Sequence, residues 1–231
     1  LVDSNMGVQN CTIVGNTAAE GGGIFAGHHT YVSGCGIDNC IVWYNEATTG
    51  LGDQIMVGPA PIFPGWGPMW ISVVRSDLQG GVDAIYVDPD IIFGGKSGFG
   101  VMDEDPHFLG GSGGMTSAEW AAASVRLYFK SPAVDAGTIK LVAADDLDLD
   151  RDGDRLEPIP FDLDGRDRFV DATGTGRPLI DLGAFEWQFC PADLDGSRDV
   201  DEFDLREVAD AWGPCLACAA DLNADGDVDL E

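Results

Sequence analysis

The apolar residues of the chain fall in short runs that end at Gly, Asn or Asp, a pattern typical of strands joined by tight bends. One run recurs 29 residues later, since residues 10–16 (NCTIVGN) resemble residues 39–45 (NCIVWYN), and a looser third copy is residues 71–77 (ISVVRSD). One copy is too short to bury its inner face alone, so the repeat predicts parallel strands that stack from copy to copy. We expect Asn16 and Asn45 to stack at equivalent bends.

Two segments have helical features instead. Residues 116–119 (TSAE) form a capping box, which predicts one short helix within residues 116–124 that covers an open sheet end. A second helix is predicted by apolar residues at spacings of three and four, namely Leu205, Val208, Ala209 and Trp212. No apolar run approaches the roughly 20 residues of a membrane span.

Further strings follow the repeats in a fixed order. They are residues 76–81 (SDLQGG), 103–108 (DEDPHF), 126–128 (RLY), 131–137 (SPAVDAG), 162–166 (DLDGR) and 181–186 (DLGAFE). Together with the repeats, these strings resemble the C-terminal portion of secreted bacterial surface proteins of the right-handed parallel β-helix (pectin-lyase-like) family. The resemblance implies an all-β solenoid with a capping region. It also implies a secreted, extracellular or cell-surface location.

The composition adds a strong and uneven acidity. The 231 residues include 12 basic and 40 acidic side chains, which gives a net charge of −28 and argues against nucleic-acid and anionic-membrane partners. Asp outnumbers Glu by 31 to 9, and 21 of the Asp lie at or after Asp145. Because Asp favours turns, caps and cation-binding loops, this excess predicts bound divalent cations.

The tail carries two strings with the spacing of twelve-residue calcium loops. The first, residues 193–204, offers oxygen ligands from Asp193, Asp195, Ser197, Asp199, Asp201 and Asp204. The second begins 28 residues later and offers Asp221, Asn223, Asp225, Asp227 and Asp229. Arg198 stands where the sharp turn of the first loop prefers Gly, and the second string reaches only its eleventh position at Glu231.

This tail resembles a dockerin, the calcium-binding module that docks into cohesin domains. The two resemblances together predict a right-handed parallel β-helix with a small α-helical, EF-hand-like C-terminal module. They predict solenoid coils over residues 1–109, a capping region over 110–189 and a truncated dockerin-like module over 190–231.

A third acidic run, over residues 146–154, also alternates Asp with other residues and contains a Gly. Its candidate Ca²⁺ ligands are Asp146, Asp148, Asp150, Asp152 and Asp154. Glu157 lies close enough to join them. Without a cation so many carboxylates at alternate positions would repel one another, although a solvated acidic turn is the alternative.

The remaining candidate sites are thiols and aromatic rings. In a secreted protein the candidate disulfide residues are Cys11, Cys35, Cys40, Cys190, Cys215 and Cys218. Cys11 and Cys40 hold equivalent repeat positions, which is compatible with a bridge or with two stacked core thiols. Trp66 and Trp70 are candidates for stacking on a sugar, although a loop of this kind more often packs over a strand.

No set of catalytic residues is recognisable, because the first 74 residues contain no Lys or Arg and the front Asp residues form no pair. These observations favour a non-catalytic extracellular or cell-surface protein whose calcium-binding tail mediates attachment to a cohesin-like or cell-envelope partner. One alternative is a β-helix that binds or degrades an extracellular polysaccharide, as a lyase or hydrolase. Another is a subunit that binds copies of itself in an extracellular filament.

Overall fold

The structure is a computed structural model. It describes residues 6–28, 33–59, 68–128, 130–170, 179–187, 194, 200–214, 220 and 227–228. The chain divides into two compact units, Leu1–Glu186 and Trp187–Glu231.

Most strands of the first unit lie in three parallel sheets. The largest has the order β1 (Met6–Gln9), β5 (Ser33–Asp38), β9 (Met69–Val74) and β12 (Phe93–Phe99). The second contains β2 (Thr12–Val14), β6 (Ile41–Trp43) and β10 (Asp77–Leu78), with β6 in the middle. The third contains β4 (Ile24–His28), β8 (Ile55–Pro59) and β11 (Tyr86–Val87), with β8 in the middle. A short parallel pair joins β3 (Thr17–Ala18) to β7 (Glu46–Ala47).

The register of the second sheet follows the sequence repeat. Thr12 pairs with Ile41, so the two copies pair at their offset of 29 residues. Asp77 pairs with the same Ile41, at an offset of 36 residues. The prediction for the third copy is therefore wrong by four residues, because Arg75 rather than Ile71 takes the place of Asn39.

An apolar core lies between the three sheets, and alternate residues of their strands contribute to it. In β9, Met69, Ile71 and Val73 are at most 3% exposed, whereas Trp70 between them is 52% exposed. This period of two is what a strand imposes on its side chains. The same core contains Cys35, Ile37, Cys40, Val42, Ile55, Val57, Leu78 and Ile85.

Amide side chains connect successive bends beside the core. Asn16 Nδ2 donates to Asn45 Oδ1 at 3.0 Å, which confirms that the two bends stack. Asn45 Nδ2 donates to Gln54 Oε1 at 2.8 Å, and Gln54 Nε2 donates to Gln79 Oε1 at 3.0 Å. Asn45 and Gln54 are buried, whereas Asn16 at the end of this amide ladder is exposed. The ladder gives buried polar groups partners along the stack.

The first helix, α1 (Ser117–Ala122), begins with the predicted capping box. Thr116 Oγ1 accepts from the Glu119 N–H, and Glu119 Oε2 accepts from the Thr116 N–H at 2.7 Å. Trp120 of α1 is 4% exposed and packs in a second apolar cluster with Ile41, Trp43, Phe108, Leu127, Ala133 and Leu182. A side chain at Gly15 would collide with the Trp120 ring, so only glycine fits under the helix there.

The predicted fold class, a right-handed parallel β-helix solenoid with an EF-hand-like module, is wrong in the form in which the sequence suggested it. The strands form several separate small sheets alongside two helices, and no closed solenoid is present among the described residues. Over residues 100–170 the described structure consists of turns, isolated bridges, α1 and a short 3₁₀ helix at Ile139–Leu141. The Asp, Gly and Pro residues of this stretch favour bends over continuous strands.

In the second unit, the described residues form one helix and a short antiparallel strand pair. The helix α2 (Glu202–Asp210) ends two residues before the predicted apolar position Trp212. The strands are β13 (Gly213–Pro214) and β14 (Asp227–Val228). Leu205 and Trp212 of the predicted apolar face are 68% and 55% exposed. Neither α1 nor α2 has the length and apolar composition of a bilayer-crossing segment.

Candidate metal centre

The acidic run of the first unit forms a loop whose two ends pair with each other. Ala144 and Pro158 form an antiparallel bridge, and the Asp145 N–H donates to the Glu157 carbonyl at 2.8 Å. Residues 145 and 157 therefore lie side by side, although eleven residues separate them in the chain. Because of this pairing, Asp145 is buried, whereas its neighbour Asp146 is exposed.

Within the loop, aspartates accept hydrogen bonds from nearby backbone N–H groups and so hold the turns. Asp148 Oδ1 accepts from the Gly153 N–H at 3.1 Å, and Asp152 Oδ1 accepts from the Asp154 N–H at 2.7 Å. Asp148 and Gly153 have φ angles of 55° and 93°, in the region that Asp tolerates and Gly favours. These tight turns bring several carboxylates of the loop close together.

Two groups of three carboxylates converge in this loop. Oxygens of Asp145, Asp150 and Glu157 lie within 4.8 Å of one another, and so do oxygens of Asp148, Asp150 and Asp152. Two oxygens that share a Ca²⁺ ion at about 2.4 Å are at most about 4.8 Å apart. Both groups therefore have the spacing of ligands around one cation, and Asp150 belongs to both.

In the group of Asp145, Asp150 and Glu157, two oxygens have no hydrogen-bond partner. Asp145 is 1% exposed; its Oδ2 accepts from the Leu149 N–H at 2.7 Å, but its Oδ1 has no hydrogen-bond partner. Glu157 Oε1 is also buried and without a partner. Such oxygens are costly unless a proton or a cation satisfies them. They point to a ligand between Asp145, Asp150 and Glu157.

Electrostatics at the loop agree with this geometry. Loss of water and the neighbouring carboxylates of Asp152, Asp150, Asp154 and Asp145 raise the pKa of Glu157. None of the ion pairs among the described residues involves a carboxylate of residues 145–157. The carboxylates of the loop therefore have no ion-pair partner among the described Lys and Arg residues, and a divalent cation would lower their repulsion directly.

The structure divides the five predicted aspartates of this run. Asp148, Asp150 and Asp152 belong to the converging groups, whereas Asp146 and Asp154 belong to neither. Asp154 instead accepts from the Leu156 N–H at 2.9 Å. Sequence reasoning missed Asp145, because the alternation begins at residue 146. The available signal was the apolar segment 141–144 before Asp145, whose pairing with residues 157–159 buries that carboxylate.

In the tail, only three of the predicted calcium ligands lie among the described residues. Asp201 caps α2 by accepting from the Phe203 N–H at 2.8 Å. Asp204 is 1% exposed and accepts from the Leu194 N–H at 2.6 Å, which joins the second and twelfth positions of the first loop. Asp227 lies exposed in β14. The remaining predicted ligands, Asp193, Asp195, Ser197, Asp199, Asp221, Asn223, Asp225 and Asp229, lie outside the described residues.

A different group of buried acidic side chains joins residues 162–168 to residues 181–186. Arg168 Nη1 donates to Glu186 Oε1 at 3.0 Å, and Glu186 Oε2 accepts from the Asp181 N–H at 2.7 Å. Asp162 Oδ2 accepts from the Glu186 N–H at 3.1 Å. Burial, followed by the Asp181 charge, raises the pKa of Glu186 to about 9. Hydrogen bonds within the chain hold these carboxylates, so we assign this group a structural role.

The other predicted site residues are separate from the acidic loop. Cys11, Cys35 and Cys40 are free thiols, whereas Cys190, Cys215, Cys218 and Trp66 lie outside the described residues. The exposed Trp70 is in register with Gly34 and Gly95, and its ring covers the backbone at Gly94 and Gly95. One face of the indole is therefore already in contact with the chain.

An open cavity of about 900 Å³ lies elsewhere in the first unit. Among the described residues, its lining includes Tyr44, Tyr86, Trp120, Glu46 and Asp53, but no Lys or Arg. Trp70 is not part of this lining. The cavity therefore does not complement an acidic glycan, since its charges would repel uronate groups.

The chain was compared with protein-family models, curated proteins and solved structures, and none of them matches it. The resemblances to pectin-lyase-like and dockerin-containing proteins, which rest on short motifs, therefore stay predictions.

Proposed function

We propose that this is a calcium-binding protein in which Asp145, Asp150 and Glu157 hold a structural Ca²⁺ ion. The observation that carries the proposal is the buried Asp145, whose Oδ1 has no hydrogen-bond partner and whose carboxylate has an oxygen within 4.8 Å of oxygens from both other residues. The ion would satisfy that oxygen and the unpartnered Glu157 Oε1 together.

The donor set favours calcium over other metals. Every candidate ligand of the loop is a carboxylate, and hard oxygen ligands suit Ca²⁺ or Mg²⁺, whereas zinc and copper sites draw on imidazole and thiolate. Mg²⁺ usually keeps several waters and takes one or two carboxylates, whereas Ca²⁺ accepts about six to eight oxygens in irregular geometry. Asp148 and Asp152 lie next to Asp150 and extend the supply of oxygens.

The ion would act on the fold of the loop. Asp145 and Glu157 lie at the two paired ends of the loop, and Asp150 lies between them in the sequence. One ion would therefore connect both ends of the loop to its middle. A ligand that binds only the folded state adds its binding free energy to folding. The proposed role is therefore structural, and the loop needs no catalytic group to fulfil it.

The wider role is attachment at the outside of the cell, through calcium loops of the tail. It is supported by the spacing of the tail aspartates and by the burial of Asp204 at the twelfth position of the first loop. Binding of the full chain to immobilised cohesin domains tests it. We expect binding in Ca²⁺ that chelation abolishes; binding of equal strength in chelator would contradict calcium-dependent attachment.

Calorimetric titration of the full chain with Ca²⁺ tests the centre itself. Asp145→Asn combined with Asp150→Asn is the double variant, which removes two ligands while leaving the tail unchanged. Asp146→Asn combined with Asp154→Asn is the control, which also removes two charges but no residue of either converging group. We expect the double variant to bind one ion fewer than the wild type and the control to bind the same number. Equal stoichiometry in the wild type and the double variant would overturn the proposal.

A further inference from the structure

Cys11 and Cys40 lie beside each other immediately before two paired strands. Thr12 of β2 pairs with Ile41 of β6, and the Ile41 N–H donates to the Cys11 carbonyl at 2.9 Å. Neighbouring strands are about 4.8 Å apart, which falls within the range of about 4.4–6.8 Å that disulfides span between Cα atoms. The backbone at this place therefore already has the spacing of a disulfide.

The two thiols differ in their access to solvent. Cys40 is 0% exposed, and its Sγ is 3.1 Å from the Asp38 carbonyl and 3.4 Å from the Val8 carbonyl. Cys11 is only half-buried, and its Sγ is 3.0 Å from the Gln9 carbonyl. A reagent in solution therefore meets Cys11 first, and Cys40 lies behind it.

The protonation of the pair follows the same order. Interaction with the Cys40 thiol lowers the pKa of Cys11 to about 6, although burial opposes the shift and the positive charge of Arg168 contributes to it. Interaction with Cys11 and burial raise the pKa of Cys40. Of the two thiols, Cys11 therefore loses its proton at the lower pH. A thiolate is the form that attacks a disulfide.

We propose that Cys11 and Cys40 form a redox-active dithiol that reacts with low-molecular-mass disulfides. The Cys11 thiolate attacks one sulfur of the disulfide, a Cys11 mixed disulfide forms, and the other half leaves as a thiolate that takes up a proton. Cys40 then loses its proton and attacks Cys11 Sγ, so that a Cys11–Cys40 bond forms and the second thiol leaves. Overall, two protein thiols are oxidised and one external disulfide is reduced to two thiols.

Cys35 provides an internal control. It lies in β5, in register with Met6 and Ile71, so neither neighbouring strand offers it a second thiol. It is 3% exposed, and burial raises its pKa. The geometry therefore predicts exchange at Cys11 and none at Cys35.

Treatment of the full chain with oxidised glutathione, followed by alkylation and peptide mass mapping, tests the proposal. We expect a linked Cys11–Cys40 peptide two hydrogens lighter than the reduced pair. Cys40→Ser should stop the reaction at a glutathione adduct on Cys11, Cys11→Ser should leave Cys40 unmodified, and Cys35→Ser should behave as the wild type. Circular dichroism checks that each serine variant is folded.

Two results would overturn the proposal. One is the absence of the linked peptide in the folded wild type under excess oxidised glutathione. The other is a Cys11 that reacts no faster than Cys35. Because the reaction needs no metal, its outcome is independent of the calcium titration.

Discussion

Asp145 and Asp146 are neighbours in the chain with the same side chain, yet only one of them can serve as a buried ligand. The bridge between Ala144 and Pro158 turns Asp145 inward, where it is 1% exposed, and leaves Asp146 in solvent. Composition and alternation treat the two residues as equivalent. The local pairing of the chain decides which carboxylate faces the proposed ion.

A second buried carboxylate, Asp77, carries a prediction about pH. It is 0% exposed, its Oδ2 has no partner, and its Oδ1 accepts from the Glu104 N–H at 3.3 Å. Burial, with Asp103, Glu104 and Asp105 nearby, raises the pKa of Asp77 from 3.8 to about 7. The folded state therefore holds this proton over a range in which the unfolded state has lost it.

Asp77→Asn should make the protein more stable than the wild type at high pH. The contribution of protonated Asp77 is fully present below pH 4 and is lost as the pH rises through about 7, by up to about 4 kcal/mol. Denaturant unfolding of both proteins between pH 4 and 8 measures the difference. The advantage of the variant should grow with pH, and a constant difference would contradict a buried, ionising Asp77.

At the scale of the elements, hydrogen bonds of the amide ladder connect the bends that follow successive strands. Asn45 donates to Gln54 Oε1 and, at 2.9 Å, to the Ile13 carbonyl, and its Oδ1 accepts from Asn16. All these contacts are buried or partly buried, so the loss of one amide leaves several groups without partners. Asn16 has the same side chain but is exposed.

Asn45→Ala should therefore destabilise the first unit far more than Asn16→Ala. Unsatisfied buried groups cost about 1–3 kcal/mol each, whereas loss of the one hydrogen bond that the exposed Asn16 amide donates costs about 1 kcal/mol or less. Denaturant unfolding monitored by tryptophan fluorescence measures both variants. Equal losses in the two variants would show that the ladder has no stabilising role beyond that of its exposed end.

Local features of the fold were predictable from the sequence, and long-range ones only in part. The repeat of 29 residues predicts the pairing of β2 with β6 because equivalent positions recur along the sequence. Residues 116–119 predict the start of α1 because a capping box depends on neighbouring residues. The offset of 36 residues between β6 and β10 was not predictable, since the local sequence pattern does not show how many residues lie between two copies. The prediction of a solenoid was wrong because the order of the motifs does not show how far the strands continue.

The candidate site was predictable in composition but not in membership. Alternating aspartates indicated a cation, and three of the five predicted residues lie in the converging groups. Asp145 lies in the site only because its backbone pairs with that of Glu157 at the ends of the loop. Burial of a single carboxylate is a property of the folded chain, so no count of acidic residues reveals it.

For the whole molecule, the charge of −28 is concentrated in segments that Ca²⁺ could bind. Chelation should lower the melting temperature of the wild type, because a ligand at about 100 times its Kd stabilises by about 2.7 kcal/mol. Asp145→Asn should show a smaller loss on chelation than Asp146→Asn, since only the former removes a ligand. Differential scanning calorimetry with Ca²⁺ and with chelator measures this. Equal losses in both variants would place the stabilising ion outside the acidic loop.

A crystal structure of the full chain grown with Ca²⁺ would show directly whether the acidic loop binds the proposed ion. We expect one ion in contact with Asp145, Asp150 and Glu157, at oxygen distances of about 2.3–2.6 Å. Asp145 Oδ1, which has no hydrogen-bond partner, would be one of its ligands. Ordered density for the loop, with a water or no ion between these three carboxylates, would contradict the proposed Ca²⁺ site.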